Sequence, residues 1–73
     1  MVVQYFAAKD YNTRKVYLIG RFVDGLPERY TNEKWTFDSY LTSMHQDGKL
    51  EYVSEAEAMQ LIAERKSQQL QVA

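Results

Sequence analysis

The chain contains no cysteine, and this absence removes one common way of stabilising so small a protein. Disulfides and thiolate metal sites are both excluded, and the composition suits a reducing cytosol. Glycine and proline are scarce, with three and one residues respectively, and no glycines share a phosphate-binding motif. The 73 residues predict one domain, near the size at which a single core gives little stability.

Long apolar runs are also missing. The longest surrounds residues 16–19 and is far too short to span a membrane. The first residues, Met1 to Val3, do not resemble a signal peptide, because no basic region precedes them and Gln4 interrupts them. The sequence therefore predicts a soluble cytoplasmic protein without a membrane partner.

Chemistry-bearing motifs are few. His45 is the only histidine, and its place near a predicted helix end favours donation to the carbonyl groups of the last turn over metal binding or catalysis. Asp47 and Gly48 lack the repeated acidic ligands of a calcium loop. We therefore predict no catalytic residue, no metal site and no cofactor, and we do not expect an enzyme.

Charge is divided unevenly along the chain. Residues 1–35 carry six basic and four acidic residues, whereas residues 36–73 carry three basic and six acidic ones. Basic residues interleaved with aromatic ones could stack on single-stranded nucleic acid, which makes a small nucleic-acid-binding domain one alternative. No dense basic cluster is present, however, so direct nucleic-acid binding is not the favoured interpretation.

Two strands open the chain. Residues 2–8 are rich in β-branched and aromatic residues, residues 9–13 have turn composition, and residues 15–23 form a second apolar run. Gly20 predicts a bulge or a close backbone approach. The Asp24-Gly25-Leu26-Pro27 segment is predicted to end the second strand.

Two helices and a short strand follow. Thr36 is a candidate N-cap, Trp35 could pack on Tyr40, and Gly48 is the expected end of the first helix. The apolar stripe of that helix contains Phe37, Tyr40, Leu41 and Met44, and it is expected to pack against Met59, Ile62 and one sheet face. Residues 50–53 predict a third strand.

Ser54 and Glu57 form a capping box that predicts the start of the second helix. The expected fold is thus α+β in the order β-β-α-β-α, with an antiparallel hairpin and a short third strand packed against two helices. Residues 1–66 form the single predicted interaction domain, and residues 67–73 are predicted to be a frayed or disordered tail.

The second strand has two apolar faces, which raises the question of what covers each of them. Val16, Leu18 and Phe22 are expected to face the helices, whereas the opposite face joins aromatic, aliphatic and arginine side chains as interface cores do. Either the second helix covers that opposite face or a partner protein does. We expect the protein to be a monomer, and its candidate partner-binding residues are Tyr5, Tyr17, Ile19 and Arg21. An acidic and hydrophobic peptide would suit the arginine, whose planar group can stack on a ring while it pairs with a carboxylate.

The whole chain, from MVVQYFAAKDYNTRKVYLIGRF through WTFDSYLTSMHQDGKLEYVSEAEAMQLIAERK to QQLQVA, resembles the small transcription regulators of lytic Xanthomonas bacteriophages in size and in its lack of an enzymatic motif. The resemblance implies a non-enzymatic protein of the host cytoplasm that binds host RNA polymerase at the extreme N-terminus of the β′ subunit and near the β flap. It further implies inhibition of initiation by displacement of the σ factor, and antitermination during elongation. The alternative is another phage or plasmid antagonist of host defence, of the anti-restriction or anti-CRISPR type.

Overall fold

The chain forms an antiparallel sheet and two helices in the order β-β-β-β-α-β-α. The computed structural model describes the backbone of residues 1–72 and the side chains of residues 1–65. The elements are β1 (Val3–Lys9), β2 (Val16–Val23), β3 (Leu26–Thr31), β4 (Lys34–Phe37), α1 (Tyr40–Gln46), β5 (Glu51–Val53) and α2 (Glu55–Val72). The predicted α+β class is confirmed, and the predicted tail, residues 67–73, lies outside the fully described part of the chain.

The five strands lie in the order β4-β3-β2-β1-β5, with β1 and β2 at the centre. Phe6, Ala7 and Ala8 are all buried although consecutive strand residues point to opposite faces. Both faces of the central strands are therefore covered.

The two helices lie on opposite faces of the sheet. Leu41 and Met44 of α1 pack with Ala8 and Leu18 on one face. On the other face, α2 contacts β1 and β2, where Ala7 and Ile19 are buried together with Ala58 and Ile62 of the helix. The sheet thus separates the helices.

The expected contact of the α1 stripe with Met59 and Ile62 is therefore wrong, because the sheet lies between the two helices. The expected burial of the stripe is confirmed only for Leu41 and Met44. Phe37 and Tyr40 are 64% and 60% exposed.

Strands β3 and β4 occupy a segment for which the sequence pattern predicted no strands. Asp24 and Gly25, with φ of 49° and 86°, form a two-residue hairpin turn between Val23 and Leu26. Val23 and Leu26, which flank the turn, bond to each other across the hairpin. In the next pair, Pro27 therefore directs the position of its missing amide hydrogen away from β2, and proline is tolerated there. Strand β4 begins to pair with β3 only at Glu28, and the Asp38 amide donates to the Pro27 carbonyl beyond that pair.

Helix α1 begins later than predicted. Residues 34–37 pair with β3, so Thr36 is not the N-cap and Trp35 does not pack as a staple on Tyr40. The Asp38 carboxylate instead accepts a 3.0 Å hydrogen bond from the Tyr40 amide. The predicted end is confirmed, because Gly48 has φ of 71° and its amide donates to the His45 carbonyl.

The capping box at the start of α2 is confirmed. The Glu57 amide donates to Ser54 Oγ at 3.1 Å, and the Ser54 amide donates to Glu57 Oε1 at 3.3 Å. Within the described residues, neither helix combines the length and the apolar composition needed to cross a bilayer.

The loop between β1 and β2 is held by one carboxylate. Asp10 Oδ1 accepts hydrogen bonds from the Asn12 and Thr13 amides at 2.9 and 3.0 Å. The Asp10 amide donates to the Lys15 carbonyl, and the Arg14 amide donates to the Asp10 carbonyl. The backbone bonds from Thr13 and Asn12 stabilise the ionised form and hold the pKa of Asp10 below its ordinary value.

The close approach predicted at Gly20 is confirmed. A Cβ at this position would lie 3.0 Å from Leu41 Cδ1 and 3.4 Å from the Glu28 carbonyl oxygen. The missing side chain therefore leaves room for the Leu41 side chain against β2, while the backbone of α1 lies closest to β3.

We expect Gly20→Ala to destabilise the fold by about 1–3 kcal/mol through overpacking, and Leu41→Ala to destabilise it by about 2–5 kcal/mol through a cavity. The double variant should be less destabilised than the sum, because the new methyl group occupies space that Leu41 vacates. Urea unfolding followed by circular dichroism measures all three. Thr42→Ala, at an exposed site on α1, is the control, and strict additivity would contradict the contact.

The second hairpin turn contains a strained residue. Asn32 and Glu33 have φ of 52° and 65°, and Glu33 takes the position that Gly25 takes in the first turn. Glu33→Gly should stabilise the protein by about 1 kcal/mol, because glycine avoids the left-handed penalty. The reverse exchange, Gly25→Glu, should destabilise it by a similar amount, since a Cβ there meets nothing within 4 Å. Equal melting temperatures for the two variants would refute this reasoning.

The low pKa of Asp10 predicts acid sensitivity confined to its loop. Because the folded pKa lies below the unfolded one, the stabilising effect is complete above the unfolded value and is lost as pH falls through the folded value. The Asn12 and Thr13 amide resonances should move together only below about pH 4. In Asp10→Asn they should not titrate, and a midpoint above the ordinary aspartate value would contradict the assignment.

Candidate functional site

Helix α2 covers only part of its sheet face, and the uncovered part carries a continuous row of side chains. The strand pairing places Tyr5 opposite Arg21, Arg21 opposite Glu28, and Glu28 opposite Phe37. The row therefore crosses four strands. In the adjoining row, Tyr30 pairs with Trp35. We call the six side chains the aromatic surface: Tyr5, Arg21, Glu28, Tyr30, Trp35 and Phe37.

Trp35 is the centre of this surface. The Arg21 guanidinium carbon lies 4.2 Å from the centroid of the Trp35 ring, which is a cation–π contact. The Tyr5 and Tyr30 rings meet Trp35 edge-on, with centroids at 6.0 and 5.2 Å. Because three neighbours hold the Trp35 ring, it loses little conformational entropy when a partner binds, and the surface is preorganised.

The charge of Arg21 is balanced within the chain. Its Nε lies 2.6 Å from Glu28 Oε1, and both side chains are about three-quarters buried. The expectation that Arg21 recruits an acidic peptide is therefore weakened, because Glu28 already provides its carboxylate. Contacts at this surface should depend on shape and aromatic packing more than on charge.

The pairing with Glu28 also changes how Arg21 can be tested. Reversal of Arg21 to glutamate would place two carboxylates side by side and would disturb the sheet as well as any binding. Arg21→Lys is the cleaner substitution, since it keeps the charge and removes the planar stack on Trp35.

The four residues predicted to bind a partner do not lie together. Tyr5 and Arg21 are neighbours on the aromatic surface. Ile19 is fully buried beneath α2, so it does not belong to an exposed surface, and here the helix covers the face. Tyr17 is 48% exposed and lies away from the aromatic surface, in a cleft that Gly48 and Lys49 also line.

A register shift explains why alternation misplaced the start of β2. Leu18 pairs with Ala8, but Val16 pairs with Lys9, so Tyr17 is an extra residue at a bulge. Val16 consequently lines a cleft with Leu61 of α2, on the face opposite Leu18. The prediction that Val16 and Leu18 share a face is wrong for this reason.

Most of the aromatic surface comes from the two strands that the sequence pattern missed. Glu28 and Tyr30 on β3, and Trp35 and Phe37 on β4, point to the same face by simple alternation. The alternation could have been recognised if Asn32 and Glu33 had been interpreted as a two-residue turn. Asparagine tolerates the left-handed conformation that such a turn requires.

The environment of His45 is aromatic. Its ring lies 5.2 Å from Phe6, 5.4 Å from Phe22 and 6.3 Å from Tyr52, measured between centroids. The imidazole therefore packs on the α1 face of the sheet. Among the described residues, no group of three or more potential metal ligands comes together.

No family model, curated protein or solved structure matches the chain. The candidate site is therefore defined by the geometry of the chain itself.

Proposed function

We propose that the protein is a non-enzymatic regulator that acts by covering part of a partner protein with its aromatic surface. The observation that supports this most is the stack of Arg21 on Trp35, on the part of the sheet that α2 leaves open. Tryptophan, tyrosine and arginine are the residue types that most often dominate binding energy at protein interfaces. Phe37, at the end of the row, exposes most of its ring.

The proposed partner is host bacterial RNA polymerase, as the resemblance to phage transcription regulators implies. In this proposal the protein contacts the β′ N-terminus and the region of the β flap, displaces the σ factor during initiation and promotes antitermination during elongation. A small protein can compete with a large one when two contacts act together, because the second forms at high effective concentration. Binding is to protein and not directly to nucleic acid.

Nuclease-treated RNA polymerase core enzyme and holoenzyme test the proposal directly. We expect the protein to bind the core enzyme in a pull-down with purified components and to reduce the amount of σ factor retained by the holoenzyme. Trp35→Ala should weaken core binding by about tenfold or more, as loss of an interface hot spot does. Arg21→Lys should weaken it less.

Tyr40→Ala is the matched control, because Tyr40 is an exposed aromatic residue at the start of α1, outside the aromatic surface. Each variant should first show a cooperative melting transition. Normal polymerase binding by folded Trp35→Ala would exclude the aromatic surface as the contact. Tight, steeply salt-dependent binding to bare DNA without polymerase binding would favour a nucleic-acid-binding domain instead.

A further inference from the structure

A further cleft lies between the β1–β2 loop and α2. It has a volume of about 360 Å³ and is lined by Arg14, Lys15, Val16, Leu61, Glu64 and Arg65. Val16 and Leu61 give it an apolar floor, and the other four residues place charges around that floor. We call it the loop cleft.

Three of the four charges in the loop cleft are positive. In the part of the chain with described side chains, the salt bridges are Lys9–Glu51, Arg21–Glu28 and Arg29–Asp38, and none includes a cation of the cleft. The single carboxylate, Glu64, accepts a hydrogen bond from Gln60 at 3.4 Å. The cleft therefore keeps an excess of positive charge.

Hydrogen bonds to the backbone order the segments on both sides of the cleft. Arg65 donates from Nη2 to the Tyr17 carbonyl at 3.4 Å, which ties α2 to the start of β2. Arg14 follows the turn held by Asp10 and adopts a left-handed φ of 61°. The same turn presents Lys15, so the backbone on this side of the cleft needs little further ordering when a ligand binds.

We propose that the loop cleft binds an acidic segment of a partner protein, with an apolar side chain on Val16 and Leu61 and flanking carboxylates on Arg14, Lys15 and Arg65. Charge complementarity selects the acidic segment, and the apolar floor selects a peptide over a simple anion. A nucleic-acid strand suits the cleft poorly, because its regularly spaced phosphates would face Glu64 as well as the cations. The proposal does not depend on which protein covers the aromatic surface.

Fluorescence anisotropy with two labelled synthetic peptides tests the proposal on the full-length chain. One peptide alternates glutamate and leucine, and the matched peptide has glutamine in place of every glutamate. We expect the acidic peptide to bind at low salt and to weaken as salt screens the contacts, and the glutamine peptide to bind far less.

Lys15→Gln and Arg65→Gln should each weaken binding of the acidic peptide by about two- to fivefold, as expected for exposed ion pairs. Lys34→Gln is the matched control, since it removes the same charge from β4, outside the cleft, and should leave the affinity unchanged. Trp35→Ala should also leave it unchanged, which separates this site from the aromatic surface.

Three results would overturn the proposal. Equal binding of the two peptides would show that the carboxylates do not contribute. An equal loss in Lys34→Gln would reduce the effect to net charge. Tighter binding of a short single-stranded DNA that is weakened by the same cleft variants would assign the cleft to nucleic acid.

Discussion

Burial of both faces of the central strands is the constraint on which the rest of the structure depends. Because Phe6, Ala7 and Ala8 are consecutive and all buried, a single layer of helices would leave one face of β1 in water. The chain places α1 on one face and α2 on the other. Small residues make this possible, because Gly20 leaves room for the Leu41 side chain of α1 and Ala7 lies beneath α2. The second apolar face of β2 is therefore covered by α2 at Ile19 but not at Arg21.

The sequence predicts the elements whose signals lie in neighbouring residues. It does not predict the features that depend on which strands pair and in what register. The capping box of Ser54 and Glu57 and the glycine at the end of α1 depend on neighbouring residues, and both are confirmed. Strand β3 was not predicted because Pro27 indicated the end of a strand. The hairpin of β3 and β4 was not recognised because its turn has Glu33 at the position where glycine is typical. The bulge at Tyr17 depends on the register between two strands, which no local signal fixes.

The candidate site was predicted in part, for the same reason. The sequence analysis proposed Tyr5 and Arg21 as parts of one patch, and the pairing of β1 with β2 makes them neighbours. Trp35 and Glu28 belong to the missed hairpin, and they change the chemistry of Arg21 from a free cation to a paired and stacked one. The surface is therefore neutral and aromatic in the fold, whereas the sequence suggested an arginine that an acidic peptide could pair with.

Helix α2 divides its sheet face into two surfaces with different physical properties. On one side the charges of Arg21 and Glu28 cancel at 2.6 Å, so contacts there rest on dispersion and apolar burial and respond weakly to salt. On the other side Arg14, Lys15 and Arg65 keep an excess of positive charge, so contacts there weaken as ionic strength rises. A partner that spans α2 would engage both surfaces, and salt would remove one contact while leaving the other. The residual affinity at high salt would then measure the aromatic surface alone, because the loss of one contact also removes the effective concentration that it provides to the other.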